Sequence, residues 1–312
     1  MSIMRSDSRT EADIRSLTMR MSILSRSDGS AQFSFGDLKA LGAVTGPAEV
    51  RIRDEKPTEA FVDVIVVPVC GLPGPPTKSL AHSIKSFFTP LILLKKYPRS
   101  LIQINLQTLS KPSDRWTNGF TTGTLEPTAT VPLFEETQSV SEKAALINAA
   151  SLALLDAGVG MRGCAFAVGL AILPPSAVSP NHNNPQALES DLIVLDPSPT
   201  EESSAKSLHL VGFHFGHGFN TTTDSGVEIG TVALCESNGS FSYDQLQTVL
   251  KLASLATQQI LAFVRQSCET VYDHEDGLDS ASQAAVGQPT SSSNLDNSNP
   301  ENRKKKKSKK NK

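Results

Sequence analysis

The stretch KAALINAASLALLDAG, Lys143 to Gly158, is a helix that has to be buried. Ala, Leu and Ile fill nearly every position, and after Lys143 the polar residues are Asn148, Ser151 and Asp156. Nothing in its interior breaks a helix, and Ala and Leu are among the strongest helix formers. Gly158 stands where a helix favours a left-handed residue to end on. A helix this apolar all round is covered on most faces, and its many alanines let other elements approach closely. An apolar run of strand length follows, Gly163 to Leu173, closed by Pro174-Pro175. A buried helix feeding a buried strand makes a packed core of helix and sheet. The helix carries no catalytic group by itself.

Upstream of this core, residues 1–15 are polar and charged and predict a mobile segment or an arm on a neighbour. Apolar and polar residues alternate over 16–53, with turn chemistry at Ser27-Asp28-Gly29-Ser30 and Gly36-Asp37. An antiparallel meander is expected there, its third strand ending at Thr45-Gly46-Pro47. Ala60 to Val69 is rich in β-branched residues and predicts another strand. Thr77 to Tyr97 predicts a helix that Pro90 kinks or divides, and Leu101 to Leu109 alternates as a strand. Thr, Pro, Gly and Ser dominate residues 110–141, too long a stretch for a plain loop in a compact domain. It is expected to be a projecting insertion, as is the Pro/Asn/Ser stretch 174–190.

Beyond the second insertion, strands are expected at Leu192–Leu195, Leu208–Phe215 and Thr231–Cys235, with a polar loop at Ser198–Ser207. A long amphipathic helix is expected over Tyr243–Glu269. The order predicts an α+β sandwich of sheet against helices. The domain spans 16–272; residues 273–312 form a disordered linker ending in a basic tail.

The formal charge of −3 is unevenly spread. Residues 301–312 carry eight Lys or Arg and one Glu, a net of +7, so the preceding 300 residues carry −10. An acidic body does not bind nucleic acid over its whole surface; RNA contact must be local or belong to an assembly. The tail residues Arg303, Lys304, Lys305, Lys306, Lys307, Lys309 and Lys310 are a candidate nuclear or nucleolar targeting signal, an RNA-attracting tail, or both. Four scattered cysteines without a CxxC support neither a disulfide framework nor a zinc site. No apolar run reaches about 18 residues, so no membrane span is expected. Cys70 to Ser79 lacks the Gly before Lys-Ser that a phosphate loop requires, and its prolines remove N–H donors. His214 and His217 have metal-site spacing but no third ligand nearby; no metal and no cofactor is expected.

Three segments in order carry a resemblance. Ile147 to Gly158 (INAASLALLDAG) resembles the central-helix signature of the RNase PH superfamily. Leu24-Ser-Arg-Ser-Asp-Gly-Ser30 with Ala43 to Val50 (AVTGPAEV) resembles its opening hairpin, and Pro98-Arg99-Ser100 with Ile102 to Gln107 resembles its next segment. The wording is closest to the RNase PH-like ring subunits of the eukaryotic RNA exosome. The resemblance implies a ribosomal protein S5 domain 2-like βαβα fold. It implies RNA processing, including ribosomal RNA maturation, in nucleus, nucleolus and cytoplasm. The implied partners are other RNase PH-like ring subunits, S1/KH cap subunits, RNA and a separate catalytic nuclease.

Active relatives need a Gly-Thr/Ser-Arg segment before the central helix for the attacking phosphate, and carboxylates after it for acid or metal work. Both reactants are anionic, so donors and cations must hold them together. Here Val140-Ser141-Glu142-Lys143 stands before the helix. Lys143 replaces Arg at best, without its planar two-point contact, and Glu142 repels phosphate. Leu195-Asp196 resembles a structural step of the relatives, and Glu202 falls near the first catalytic carboxylate. The second, about six residues later, meets Ser207-Leu208. A non-catalytic ring subunit is expected, with a phosphate-dependent 3′-to-5′ exoribonuclease of displaced site as the alternative. Arg99, and less so Lys143 and Arg26, are candidate RNA contacts.

Overall fold

Two sheets enclose one helix. The computed structural model describes residues 5, 9–69, 73–112, 139–174, 191–216, 218–219, 221–222 and 228–286. The first sheet has the order β1-β2-β3-β5-β4. Its strands are β1 (Leu17–Met21), β2 (Gly29–Phe35), β3 (Leu38–Glu49), β4 (Phe61–Val67) and β5 (Ser100–Ser110). β1 to β3 are the expected antiparallel meander, and β4 joins β5 in parallel. β3 does not stop at Gly46-Pro47. A register shift between Thr45 and Ala48 absorbs the proline, which has no N–H for the ladder, and pairing continues to Glu49.

Helix α1 spans Pro75–Phe88, with prolines in its first turn where a missing N–H is harmless. It ends at Phe88; Thr89 still has helical backbone (φ −51°, ψ −47°) and bonds back to Lys85, but Pro90 has no N–H to continue the ladder. The expected continuation to Tyr97 is only a 3-10 turn at Leu94–Lys96.

The central helix, α2, runs Val140–Asp156. Fourteen of its 17 residues are buried, which leaves it no solvent face. The second sheet, in order β11-β8-β6-β7, is antiparallel throughout. Its strands are β6 (Gly163–Leu173), β7 (Leu192–Leu195), β8 (Ser207–Gly216) and β11 (Thr231–Gly239). The last continues beyond the expected Cys235. A small two-stranded ladder pairs β9 (Thr221–Thr222) with β10 (Glu228–Ile229). α2 lies against β2 and β3 of one sheet and β6 of the other. Small residues set the spacing: a Cβ on Gly42 would come within 2.7 Å of the Ala149 carbonyl oxygen.

The loop expected at Ser198–Ser207 contains a short helix, α3 (Pro199–Ser204). Ser198 and Glu201 form its capping box, a pattern present in the sequence and overlooked amid the serines. The insertions placed at 110–141 and 174–190 lie mostly outside the described residues. Their edges do not: Ser110 closes β5, and Val140 and Ser141 open α2. The last helix, α4, covers Tyr243–Val286 and not only Tyr243–Glu269. The segment expected as linker from 273 carries no proline up to Val286, and its Ala and Gln sustain a helix. The chain divides into two compact units, residues 1–267 and 268–312. Within the first, α4 buries Val249, Ala253, Ala256, Ile260 and Val264. The tail from Arg303 to Lys310 lies outside the described residues.

Residues 1–15, expected as a mobile segment or an arm on a neighbour, bond to this same chain where described. Arg5 is 7% exposed, and Arg15 donates to Asp196 through its backbone N–H and its guanidinium. The polar composition hid this because the carboxylate partners are about 180 residues away in sequence.

Candidate functional site

The first turn of α2 is where chemistry is most concentrated. Ser139 is the N-cap, and its hydroxyl accepts from the Glu142 N–H at 3.1 Å. Ser141 to Lys143 therefore do not precede the helix, as the sequence suggested; they belong to its first turn. The spacing Ser139…Glu142 is the signal that could have placed this start, but it falls inside the stretch assigned to an insertion.

Each side chain here has an inward partner. Glu142 is 2% exposed. One of its oxygens accepts from the Thr108 hydroxyl at 2.7 Å, and the other lies 3.2 Å from Lys111 Nζ. The second contact is an ion pair of poor hydrogen-bond geometry, since that oxygen has no geometrically sound donor. Ser141 Oγ donates to the Pro197 carbonyl at 3.1 Å, and the Ser141 N–H donates to Glu202 Oε1 at 3.2 Å. Lys143 N–H donates to the Ser139 carbonyl. The Lys143 bond is the first of the helix itself; two of the orphan donors of the helix start, the Ser141 and Glu142 N–H groups, which elsewhere attract an anion, are thus taken by the chain's own oxygens.

Between these groups is a cleft of about 10 Å³ lined by Arg15, Lys111, Ser139, Ser141, Pro197 and Glu202, among others. Ligand clefts are usually ~300 Å³ or more, so this one, with room for about one water, is far too small for a nucleotide. Burial pushes the Glu202 carboxyl up to about 7, and Asp196 adds to the effect; the Ser141 N–H, Lys111 and Arg15 oppose it. Glu201 behaves oppositely. Burial would raise it, but hydrogen bonds from Arg5 and Ser198 hold it below the usual carboxylate range.

The candidate basic residues do not converge. Lys143 reaches away from the cleft, its Nζ 3.7 Å from Glu236 of β11. Arg26 lies three residues before Gly29, which packs against Ala157 at the other end of α2. That is 14 residues from Lys143, about 21 Å along a helix. Arg99 shares the Arg26 end of the first sheet, just before the start of β5. Its backbone is left-handed (φ 58°) and its guanidinium is 3.3 Å from Glu55. Arg51 and Arg53, overlooked in the sequence, are exposed in the loop that leaves β3 at the same end. Lys111 was also overlooked, since nothing in a Thr/Pro/Ser stretch marks one lysine as half-buried. His214 is 2% exposed, wedged against Phe87 and Phe219, and burial lowers its pKa; His217 lies outside the described residues. Among the described residues no three His, Cys, Asp or Glu are grouped to hold a metal.

Residues 13–160 match the 3′ exoribonuclease family, domain 1. Exosome complex component RRP46 of Saccharomyces cerevisiae is 30% identical over 251 residues, covering 80% of this chain and 94% of that protein. The chain belongs to the RNase PH family. Another relative in the family, exosome complex component rrp46 of Schizosaccharomyces pombe, is 36% identical over 143 residues, 46% of this chain and 52% of that one. The crystal structure of rice Rrp46 superposes with a TM-score of 0.62 at 21% identity, covering 84% of this chain and 98% of that one. It shows the same fold. The residues set against the phosphate-binding segment of active relatives, Val140-Ser141-Glu142-Lys143, form the first turn of α2. Glu202 is at the cleft, while Ser207, where a second carboxylate was sought, is buried and bonded to His209.

Proposed function

We propose that this chain is a ring subunit of the RNA exosome that builds the path for RNA without cutting it. The similarity to exosome components supports membership in the complex. The observation that carries the non-catalytic reading is the hydrogen bond from Ser141 N–H to Glu202. A phosphate approaching the first turn of α2 would have to displace a carboxylate that already accepts there, and would meet Glu142 with its charge matched by Lys111. Nothing in the turn supplies the arginine that holds phosphate in active relatives.

In this reading the partners are sister RNase PH-like subunits in a ring closed by heterologous contacts, S1/KH cap subunits, and a separate nuclease. The Arg26, Arg51, Arg53 and Arg99 end of the first sheet is the face offered to RNA phosphates. Lys143 is not part of it. The basic tail at 303–312 directs the protein to nucleus and nucleolus, with a cytoplasmic pool; removing it shifts the protein to the cytoplasm. A tagged pull-down from native extract, read by mass spectrometry, tests membership. Equal amounts of several RNase PH-like and S1/KH-type proteins support the ring, and recovery of the chain alone refutes it.

One observation favours an enzymatic reading. A carboxyl held near 7 in a cleft is what a general acid requires. That reading demands phosphate-dependent release of nucleoside diphosphates from RNA, lost on Glu202→Ala. Lys143→Ala, which leaves the cleft untouched, would not reduce it.

A further inference from the structure

Three arginines near the N-terminus take no part in the proposed function, yet they bind one corner of the second sheet. Arg5 Nε donates to Glu201 Oε1 at 2.8 Å, and its other nitrogens reach Glu201 Oε2 and the carbonyls of Leu195 (2.8 Å) and Asp196 (3.0 Å). Arg9 donates to the same Asp196 carbonyl at 3.3 Å. The Asp196 carboxylate is 2% exposed; it accepts from the Arg15 N–H at 3.1 Å and Arg15 Nε at 2.7 Å.

The backbone joins in. Leu195 N–H donates to the Glu11 carbonyl at 2.9 Å. In an antiparallel strand a residue turns its N–H and C=O to the same side. At Leu195 that side faces away from β6, and the N-terminal segment takes both groups. β7 is the edge of its sheet, so Arg5 and residues 9–15 strap that edge.

The strap and the corner need each other. Without it, Asp196 and Glu201 lose their cations, and Leu195, Asp196 and the start of α3 lose the bonds that tie them to the N-terminal segment. The corner is therefore weakened when the strap leaves. It continues into α3, which carries Glu202, and Glu202 closes the first turn of α2. We infer that Arg5, residues 9–15 and the β7–α3 corner form one strap-and-latch that opens as a unit while both sheets stay folded, uncovering the β7 edge and the first turn of α2 together. The inference rests on these contacts alone and holds whether or not the chain joins a ring.

Native-state hydrogen exchange on the full chain tests this. Three amides report the unit: Leu195 (bonded to Glu11), Arg15 (bonded to Asp196) and Ser141 (bonded to Glu202). Phe213 in β8 reports the sheet. In wild type under graded denaturant, the first three should merge into one opening that occurs before that of Phe213. In Arg5→Ala, exchange of all three should rise together by about tenfold or more, with Phe213 unchanged. Faster Leu195 exchange with Ser141 still protected would overturn the coupling. So would all four amides opening as one, or no change in the variant. If Arg5→Ala does not fold, the wild-type series decides alone.

Discussion

Asn148 and Ala167 exchange two hydrogen bonds. The Ala167 N–H donates to Asn148 Oδ1 at 2.8 Å, and Asn148 Nδ2 donates to the Ala167 carbonyl at 3.0 Å. Ala167 is on β6 beyond the reach of β7, which pairs only with residues 170–173. The side-chain amide thus replaces the missing neighbour strand. One turn on, Ser151 Oγ does the same for the Ala165 N–H at 3.3 Å. At the far end Asp156 accepts from the Ser30 N–H at 2.7 Å and from Ser22 Oγ at 2.6 Å. Beyond the first turn, the polar residues Asn148, Ser151 and Asp156 of an otherwise apolar helix each satisfy backbone or turn groups.

Replacing Asn148 by Leu should leave a buried N–H and a buried carbonyl unpaired, at about 1–3 kcal/mol each. Denaturant unfolding should show a loss of about 3 kcal/mol with the slope unchanged. A loss below about 1 kcal/mol would mean that water or a shifted strand takes over the two groups.

Gly42 should tolerate no side chain. A Cβ would lie 2.7 Å from the Ala149 carbonyl oxygen and 2.9 Å from its carbon, both rigid helix backbone. Gly42→Ala should cost about 2–3 kcal/mol by forcing sheet and helix apart, measured as a lower unfolding midpoint. Gly158, where a Cβ would meet nothing within 4 Å, is a control. Alanine there meets only the strain of φ +63°, about 1–2 kcal/mol.

Lys111 should matter more than an ordinary lysine. Lys111→Met leaves Glu142 buried without its cation, a change that typically costs about 3–5 kcal/mol. Adding Glu142→Gln should recover much of the loss. Equal stability of the single and double variants would show that the pair is not coupled.

Glu202 should make stability depend on pH. Its carboxyl is raised from 4.5 to about 7 in the folded chain. Between these values the folded state keeps a proton that the unfolded state has lost, so stability falls as pH rises from about 4.5 to 7, then levels off. The effect is at most about 3 kcal/mol. Glu202→Gln should remove this part of the slope and raise the melting temperature at pH 8. A variant whose pH profile matches wild type would place the carboxyl in water.

Much of the fold could be read from residues because its signals are local. Alternation marked the meander, and the apolar stretch from Lys143 marked the helix between the sheets. The family segments lie on these same elements. What escaped depends on distance. The start of α2 was hidden because Ser139 adjoins a Pro/Thr-rich stretch, and Lys111 because its partner is 31 residues on. The strap escaped because Arg5 and Arg15 look like any charged N-terminus until Asp196 and Glu201 are folded beside them. For the candidate site, Glu142 was legible as a departure from the family pattern, and Glu202 as lying near its first catalytic carboxylate. That they fill the turn themselves was not, since hydrogen bonding across 61 residues leaves no trace in spacing.

The most direct measurement is phosphorolysis by the purified full chain. RNA with a free 3′ hydroxyl is incubated with inorganic phosphate, and released nucleoside diphosphates are counted. A helix start already occupied by Glu202 predicts no release above the enzyme-free background, for wild type and Glu202→Ala alike. Phosphate-dependent release by wild type that disappears in Glu202→Ala would contradict the account and make this cleft an active site.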